Sequence, residues 1–285
     1  KPNHLGAMHN LAIALSALKQ FQEAYPLLKE VLKHDPNNID ILFQLGIIES
    51  SIGNLEAAKE AYLHILTLNP SHSDTHHNLA TVYLHDKNKE LALNHYEKAF
   101  ELNAFNATAQ HMIHALTGVA TPQGAPPEYV AALFDQYAYS YNSHVTQQLN
   151  YQAPLLLREA IGPFASKLFK ILDLGCGTGL CAPYFMDIAD KITGVDLSSN
   201  MLEVAKAQGG YHKLIRADIH YYLEEIAEKN AFNLIMASDV FVYFADLKSV
   251  LEKCLPILEE EGLLLFSIEN NETSSDYELQ PSGRY

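Results

Sequence analysis

The stretch KILDLGCGTGL, residues 170–180, places three glycines on alternate positions directly after a short apolar run. The run from Phe169 to Leu174 predicts a buried strand, and the apolar segment that continues to about Ile188 predicts a helix. Glycines are needed between them because the turn is tight and because a ligand must lie against backbone that carries no Cβ. A dinucleotide turn of the G-x-G-x-x-G type would need a glycine where this chain has Leu180. The stretch therefore predicts a mononucleotide-binding unit with the pattern D-x-G-x-G-x-G.

This pattern resembles the S-adenosylmethionine site of class I methyltransferases, in which an acidic residue precedes the glycines and no pyrophosphate has to be held. The resemblance implies S-adenosylmethionine as cofactor and S-adenosylhomocysteine as its product. It assigns cofactor contacts to the turn, where Cys176 contributes backbone and no thiol chemistry. The turn residues are Asp173, Gly175, Cys176, Gly177 and Gly179.

Two further predicted strands extend the resemblance to the nucleoside. The segment KITGVDLSSNML, residues 191–202, predicts a second strand that ends in Asp196, whose carboxylate can accept both ribose hydroxyls. A third strand lies in HKLIRADIH, residues 212–220, and ends in Asp218. Asp218 is also open to interpretation as the cap of the helix that begins near Ile219. The resemblance assigns the adenine ring to Leu197, Met201, Asp218 and Ile219.

The fourth and fifth predicted strands complete the sheet. FNLIMASDVFVYF, residues 232–244, ends its strand at Ser238 and Asp239, and EEGLLLFSIEN, residues 260–270, is the fifth strand. Five strands with helices between them imply a Rossmann-like, doubly wound parallel sheet with ligands at its carboxyl edge. In the family, Ser238 lies at the edge where the methionine part of the cofactor meets the acceptor.

The candidate catalytic residues lie at this edge. A base is required only if the acceptor is protonated, and the candidates are Asp239, Tyr243 and His144. The region LFDQYA to YNSHV, residues 133–145, resembles the helical lid of small-molecule methyltransferases. That resemblance implies that Tyr137 or Tyr141 contacts the cofactor carboxylate.

One departure from the family concerns the C-terminal end. Family members continue past the fifth strand with a helix and an antiparallel hairpin, whereas this chain ends at LQPSGRY, residues 279–285. We therefore expect the C-terminal strands to be truncated and the acceptor pocket to be incomplete.

The first half of the chain repeats with a period of about 34 residues. Leu-small pairs recur as Leu11-Ala12, Leu45-Gly46 and Leu79-Ala80, and further columns align Ala24 with Ala58 and Ala92. The small residues allow two helices to approach closely, and Pro36 and Pro70 close the first two copies. The pattern resembles tetratricopeptide (TPR) repeats, with helical hairpins over residues 5–38, 39–72 and 73–106 and a capping helix after them.

TPR stacks bind peptides in the groove formed by the first helix of each hairpin, so a peptide or protein partner is expected there, or else a structural or oligomerising role. Some family members clamp a peptide carboxylate with Lys, Asn and Arg, whereas the groove positions here carry no Lys or Arg, so no such clamp is expected. No metal site is expected either, because adjacent His76 and His77 point to different helix faces.

A Gly- and Pro-rich run predicts the domain boundary, and the composition argues against nucleic-acid and membrane partners. The Gly- and Pro-rich run TGVATPQGAPPE, residues 117–128, predicts a TPR domain over 1–117, a linker over 118–127 and a methyltransferase domain over 128–285. The formal net charge of −15 argues against nucleic acid, since no basic cluster offsets it. No apolar run could span a bilayer, and three cysteines without a CxxC pair fit reduced thiols, so a cytoplasmic protein is expected.

These patterns together predict an S-adenosylmethionine-dependent methyltransferase that acts on a small molecule or a protein. The run SDVFV, residues 238–242, replaces the N/D-P-P-Y/F run that amide and base-amine methyltransferases of this class carry, which argues against DNA and ribosomal targets. Two alternatives stay open. One is an interaction module whose cofactor domain binds without turnover, and the other is a Rossmann NAD-dependent oxidoreductase.

Overall fold

A computed structural model of the chain describes residues 5–18, 20–119, 124–147, 149–164, 168–269 and 279–285. The chain folds into two units, residues 1–117 and 118–285. Part of the predicted linker, residues 120–123, lies outside the described residues. Within the described ranges, no helix is long and apolar enough to cross a membrane.

The described part of the N-terminal unit is built from helices that pack in consecutive pairs. α1 packs on α2, α3 on α4 and α5 on α6, and α7 covers α6. The helical repeats that the sequence predicts are therefore confirmed, and α7 lies where the capping helix is expected. The helices are α1 (Leu5–Ala17), α2 (Phe21–His34), α3 (Ile39–Ser51), α4 (Leu55–Leu68), α5 (Ser73–His85), α6 (Lys89–Leu102) and α7 (Ala107–Thr117).

Small residues set the close approach within each hairpin. At Gly46 on α3, a Cβ would overlap the ring of Tyr62 on α4, so only glycine leaves room for that ring. The alanines of the same columns, Ala12, Ala24, Ala58, Ala80 and Ala92, are fully buried. The repeated Leu-small pair is therefore a packing requirement of the helix pair.

The second helix of each hairpin ends in the same backbone conformation. Asp35, Asn69 and Asn103 are the C-caps, with φ of −137°, −139° and −142°. Proline follows the first two caps, whereas Ala104 follows the third. The proline thus reinforces a helix end that the chain also makes without it.

The C-terminal unit alternates helices with strands after two leading helices. Its helices are α8 (Pro127–Gln147), α9 (Ala153–Ile161), α10 (Ala182–Phe185), α11 (Ser199–Gln208), α12 (Ile219–Tyr221) and α13 (Leu247–Cys254). Its strands are β1 (Phe169–Leu174), β2 (Ala189–Asp196), β3 (Lys213–Arg216), β4 (Phe232–Ala237) and β5 (Leu258–Phe266).

The five strands form one parallel sheet in the order β3-β2-β1-β4-β5. The predicted doubly wound sheet is confirmed. The strand order reverses between β1 and β4, and ligands of such sheets bind outside the carboxyl ends at that point. Within the described residues no strand follows β5, and the segment 279–285 forms a turn whose Tyr285 N–H donates to the Val242 carbonyl at 2.6 Å.

Apolar side chains alternate along the strands and fill a core on each face of the sheet. On β1, Leu172 and Leu174 pack with Ile235 on one face, whereas Ile171 packs with Met236 on the other. This alternation follows from the two-residue period of a strand that is covered on both sides.

The helix after the glycine turn is shorter than predicted. The sequence predicts a helix to about Ile188, but α10 ends at Phe185. The carbonyl of Ile188 instead accepts a hydrogen bond from Phe169 N–H at 2.7 Å, so the start of β1 draws this residue to the sheet. Strand pairing therefore outweighs the local helical pattern.

Candidate functional site

Two joined cavities open at the carboxyl ends of β1, β2 and β4. The larger has a volume of about 970 Å³, counting the space open to solvent, and the smaller has about 310 Å³. Both are bordered by Tyr141, Gly175, Gly177 and Ser238.

The three glycines of the turn have positive φ, and each has a different reason to lack a side chain. At Gly175 (φ +64°) a Cβ would lie 2.5 Å from Val240 Cγ2, and at Gly179 (φ +90°) it would lie 3.0 Å from Tyr211 Cε2. Gly177 (φ +52°) borders both cavities, and a Cβ there would meet no atom of the described residues within 4 Å. Gly177 therefore keeps space open for a ligand, whereas its neighbours make room for protein.

Asp196, at the end of β2, borders the larger cavity. One carboxylate oxygen accepts from Ser198 N–H and the other from Gly177 N–H, both at 2.8 Å. Burial raises the pKa of Asp196, and these backbone bonds act against the rise. The glycine turn and the carboxylate are thus held as one unit, with Leu197 and Met201 beside them in the cavity wall.

Asp218 both lines the larger cavity and caps the helix α12. Its Oδ1 accepts from Tyr221 N–H at 3.1 Å and caps α12, and both Asp218 and Ile219 line the larger cavity. The two interpretations of this residue are therefore compatible, because the cap engages one carboxylate oxygen.

Asp173, on β1, borders the smaller cavity and is only 1% exposed. The Tyr211 hydroxyl donates to its Oδ2 at 2.6 Å. Burial raises the pKa of Asp173 to about 7, against the effect of this hydrogen bond. Cys176, in the same wall, engages the turn through backbone: its N–H donates to the Val195 carbonyl, and burial raises the pKa of its thiol.

The far end of the larger cavity carries an ion pair beside aromatic rings. Asp239 has φ +58° and accepts from the Arg284 guanidinium at 2.7 Å, which also contacts Glu269 at 2.6 Å. Burial raises the pKa of Asp239, and Arg284 acts against the rise. Tyr243 lies in the same wall and meets Phe134 edge to face at 5.7 Å between ring centroids.

Three predicted residues lie on α8, and the structure gives them different surroundings. Tyr141 borders both cavities. Tyr137 contacts Tyr141 and His144, with ring centroids 5.1 and 5.5 Å apart, and neither Tyr137 nor His144 belongs to the described walls of the two cavities. His144 Nδ1 is buried and has no hydrogen-bond partner among the residues that the structure describes. The structure thus brings Tyr141 to the site and leaves Tyr137 and His144 outside its described walls.

Sequence reasoning missed several residues of the site. Tyr151 lines the smaller cavity and its hydroxyl contacts Ser238 Oγ at 2.8 Å, and His220 lines the larger cavity with Lys253 Nζ donating to its Nδ1 at 2.9 Å. Arg284 and Tyr211 were missed as well. The one signal available was position, because His220 directly follows the predicted adenine residues.

Comparison with known proteins agrees with this architecture. Residues 172–266 match a family model described as a methyltransferase domain, and residues 15–70 and 73–106 match models described as tetratricopeptide repeats. A malonyl-[acyl-carrier protein] O-methyltransferase of Priestia megaterium is 32% identical over 144 residues, which cover 49% of this chain and 51% of that protein.

Two further proteins are similar over the same unit. A ubiquinone biosynthesis O-methyltransferase of Rhodopseudomonas palustris is 24% identical over 37% of this chain and 42% of its own. The solved structure of a putative S-adenosyl-L-methionine-dependent methyltransferase from Methanococcus maripaludis is 19% identical with a TM-score of 0.40, over 46% of this chain and 62% of that one. The chain spans about half the length of the relatives it matches. The chain thus contains tetratricopeptide repeats in its N-terminal part and a methyltransferase domain in its C-terminal part.

Proposed function

We propose that the C-terminal unit binds S-adenosylmethionine in the joined cavities and transfers its methyl group to an oxygen atom of a small molecule. The observation that carries the proposal is the surroundings of Gly177. Its N–H holds the Asp196 carboxylate at 2.8 Å, and the space where a Cβ would stand is empty beside both cavities. A backbone that is bare at this point, next to a fixed carboxylate, fits a nucleoside that lies against it.

The described residues offer a partner for each part of the cofactor. Asp196 accepts from the ribose hydroxyls, and the apolar wall with Leu197 and Met201 holds the adenine ring. Asp218 and Ile219 stand at the adenine edge. The smaller cavity takes the amino-acid end, with Tyr141 at its border. When bound, S-adenosylmethionine supplies an electrophilic methyl group on a sulfonium.

The acceptor binds at the end of the larger cavity that Asp239 and Tyr243 line. A hydroxyl or carboxyl acceptor must lose its proton, and Asp239 is the base because Arg284 favours its ionised form. Burial raises the pKa of Tyr243 above its usual range, so its hydroxyl remains a hydrogen-bond donor at neutral pH. Phe134 and Phe244 provide an apolar wall that excludes water and orients the acceptor.

The choice of an oxygen acceptor rests on two further considerations. The similar proteins of Priestia megaterium and Rhodopseudomonas palustris are both named as O-methyltransferases. The acidic chain and the run SDVFV in place of N/D-P-P-Y/F disfavour nucleic-acid and ribosomal targets. The repeats serve for protein interaction or oligomerisation, and a protein acceptor brought by them is the competing assignment.

Binding is tested by calorimetry with S-adenosylhomocysteine and NAD. The wild-type chain should bind S-adenosylhomocysteine and not NAD, and Asp196→Ala should lose that binding by a hundredfold or more, roughly the value of hydrogen bonds to a buried charge. Asp190→Ala is the matched control, since Asp190 is an exposed aspartate on the same strand. NAD binding in the absence of S-adenosylhomocysteine binding would refute the proposal and favour an oxidoreductase.

Turnover and acceptor class are tested with tritiated S-adenosylmethionine. The full chain is incubated with a cell extract, and the products are separated by size. Label in the small-molecule fraction supports the proposal. Label in a discrete protein band indicates a protein acceptor, and cofactor binding without any transfer indicates an interaction module.

A further inference from the structure

The Tyr211 side chain occupies a passage that two glycines keep open. A Cβ at Gly194 on β2 would lie 2.8 Å from Tyr211 Cε1, and one at Gly179 would lie 3.0 Å from its Cε2. Through this passage the phenol crosses from the loop before β3 to β1, where its hydroxyl donates to Asp173 Oδ2 at 2.6 Å. The passage therefore places one hydroxyl on one buried carboxylate.

Asp173 stands in surroundings that disfavour its charge. It is fully buried, and the described residues that line its cavity include no Lys, Arg or His. Burial and the nearby Asp196 carboxylate raise its pKa, and the Tyr211 hydrogen bond opposes them. The titratable groups around it on the packed elements are Tyr141, Tyr151, Cys176, Cys181, Asp196 and Tyr211.

A buried carboxylate without a cation is costly unless a ligand supplies the positive charge. The larger cavity, with Asp196 and Asp218, suits the nucleoside, so the amino-acid end of the cofactor falls to the smaller cavity. The ammonium group at that end is the cation that this cavity lacks.

We propose that Tyr211 is a positioning residue that holds Asp173 as an oriented carboxylate for the ammonium group of the cofactor. This inference rests on the proposed function. Without the hydroxyl, the carboxyl group of Asp173 takes up a proton more readily, and the ammonium group then meets a neutral acid.

Binding of two ligands between pH 6 and 8.5 tests the inference. S-adenosylhomocysteine carries the amino-acid end, and methylthioadenosine keeps the adenosine and thioether but lacks the ammonium group. Calorimetry compares wild type, Tyr211→Phe and Tyr184→Phe. Tyr211→Phe keeps the ring between the two glycines, and Tyr184→Phe removes a hydroxyl from an exposed tyrosine of the same unit.

Affinity of the wild type for S-adenosylhomocysteine should rise with pH and level off above about pH 8, because Asp173, with a pKa of about 7, is largely ionised there. If Tyr211→Phe raises the pKa by about one unit, its affinity is lower by about fivefold at pH 7 and by less than about twofold at pH 8.5. Tyr184→Phe should follow the wild-type curve. Methylthioadenosine should bind with no such dependence in either variant.

Each outcome decides the matter. An affinity deficit of Tyr211→Phe that is equal at every pH would show a packing role and overturn the inference, and so would a pH dependence of the wild type that both ligands share. The comparison of the two ligands uses wild-type protein, so it still tests the inference if Tyr211→Phe does not fold. If neither ligand binds the wild type at any pH, the proposed function fails, which is a different result from an unshifted pH curve.

Discussion

The substitution Gly177→Ala should have two separate effects. It should lower stability because of the backbone conformation, and it should lower ligand affinity because the methyl group fills the cavity. Gly177 has φ +52°, where an alanine costs about 1–2 kcal/mol, so the C-terminal unit should lose about that much stability. The added methyl group meets no atom within 4 Å in the part of the chain that the structure describes, so packing there imposes no further cost. The methyl group instead fills space at the border of both cavities, and S-adenosylhomocysteine should bind at least about tenfold more weakly, or about 1.4 kcal/mol.

The matched control is Gly53→Ala in the N-terminal unit. Gly53 has φ +83° and also has nothing within 4 Å of its Cβ position, so it carries a similar backbone strain away from the cavities. Thermal denaturation should report a loss of stability for both variants, and calorimetry should report a loss of affinity for Gly177→Ala alone. If Gly177→Ala bound S-adenosylhomocysteine as tightly as wild type, the cavity beside Gly177 would not be the ligand site.

Three further predictions concern the acceptor edge, the repeats and the end of α9. Arg284→Gln removes the guanidinium that lowers the pKa of Asp239, so the pKa of Asp239 should rise. When pH is lowered, the variant should therefore lose transferase activity at a higher pH than the wild type does. A pH–rate profile whose acid limb does not move would contradict the role of Asp239 as base. Gly46→Ala should destabilise the N-terminal unit by about 1–3 kcal/mol in denaturant unfolding, because its Cβ overlaps the Tyr62 ring. Gly162→Ala, at a helical position where a Cβ would meet none of the described atoms within 4 Å, should be neutral or stabilising by up to about 1 kcal/mol.

The features that sequence predicts well are those that lie close together along the chain. The strand before the glycine turn is predicted from a few consecutive residues, and so is the strand that ends in Asp196. The repeat is predicted because the same residue types return at a fixed period. The structure has these elements where they were expected. The cap and the cavity position of Asp218 were both visible in the same few residues, so sequence alone left that choice open.

The features that sequence missed depend on contacts between distant segments. Tyr211 lies 38 residues from Asp173, and Arg284 lies 45 residues from Asp239. No periodicity links such pairs, since the order of strands in the sheet brings them together. The same reason explains why the helix predicted to reach Ile188 is too long. The local helical pattern does not show that the Ile188 carbonyl accepts a hydrogen bond from the start of β1.

The attachment of α8 to α11 has a consequence for how quickly ligands exchange. The Asp135 side chain on α8 accepts from Ser198 Oγ at 2.6 Å and Asn200 N–H at 3.2 Å, and its carbonyl accepts from Asn200 Nδ2 at 2.9 Å. Ser198 N–H in turn donates to Asp196, so α8 is connected by hydrogen bonds to the residue that we propose as the ribose acceptor. A ligand that departs by way of α8 must open three hydrogen bonds, worth about 3 kcal/mol together, which lengthens its residence by roughly a hundredfold. Under the proposed function, the dissociation rate of S-adenosylhomocysteine, and not the methyl transfer itself, would then limit the rate of turnover.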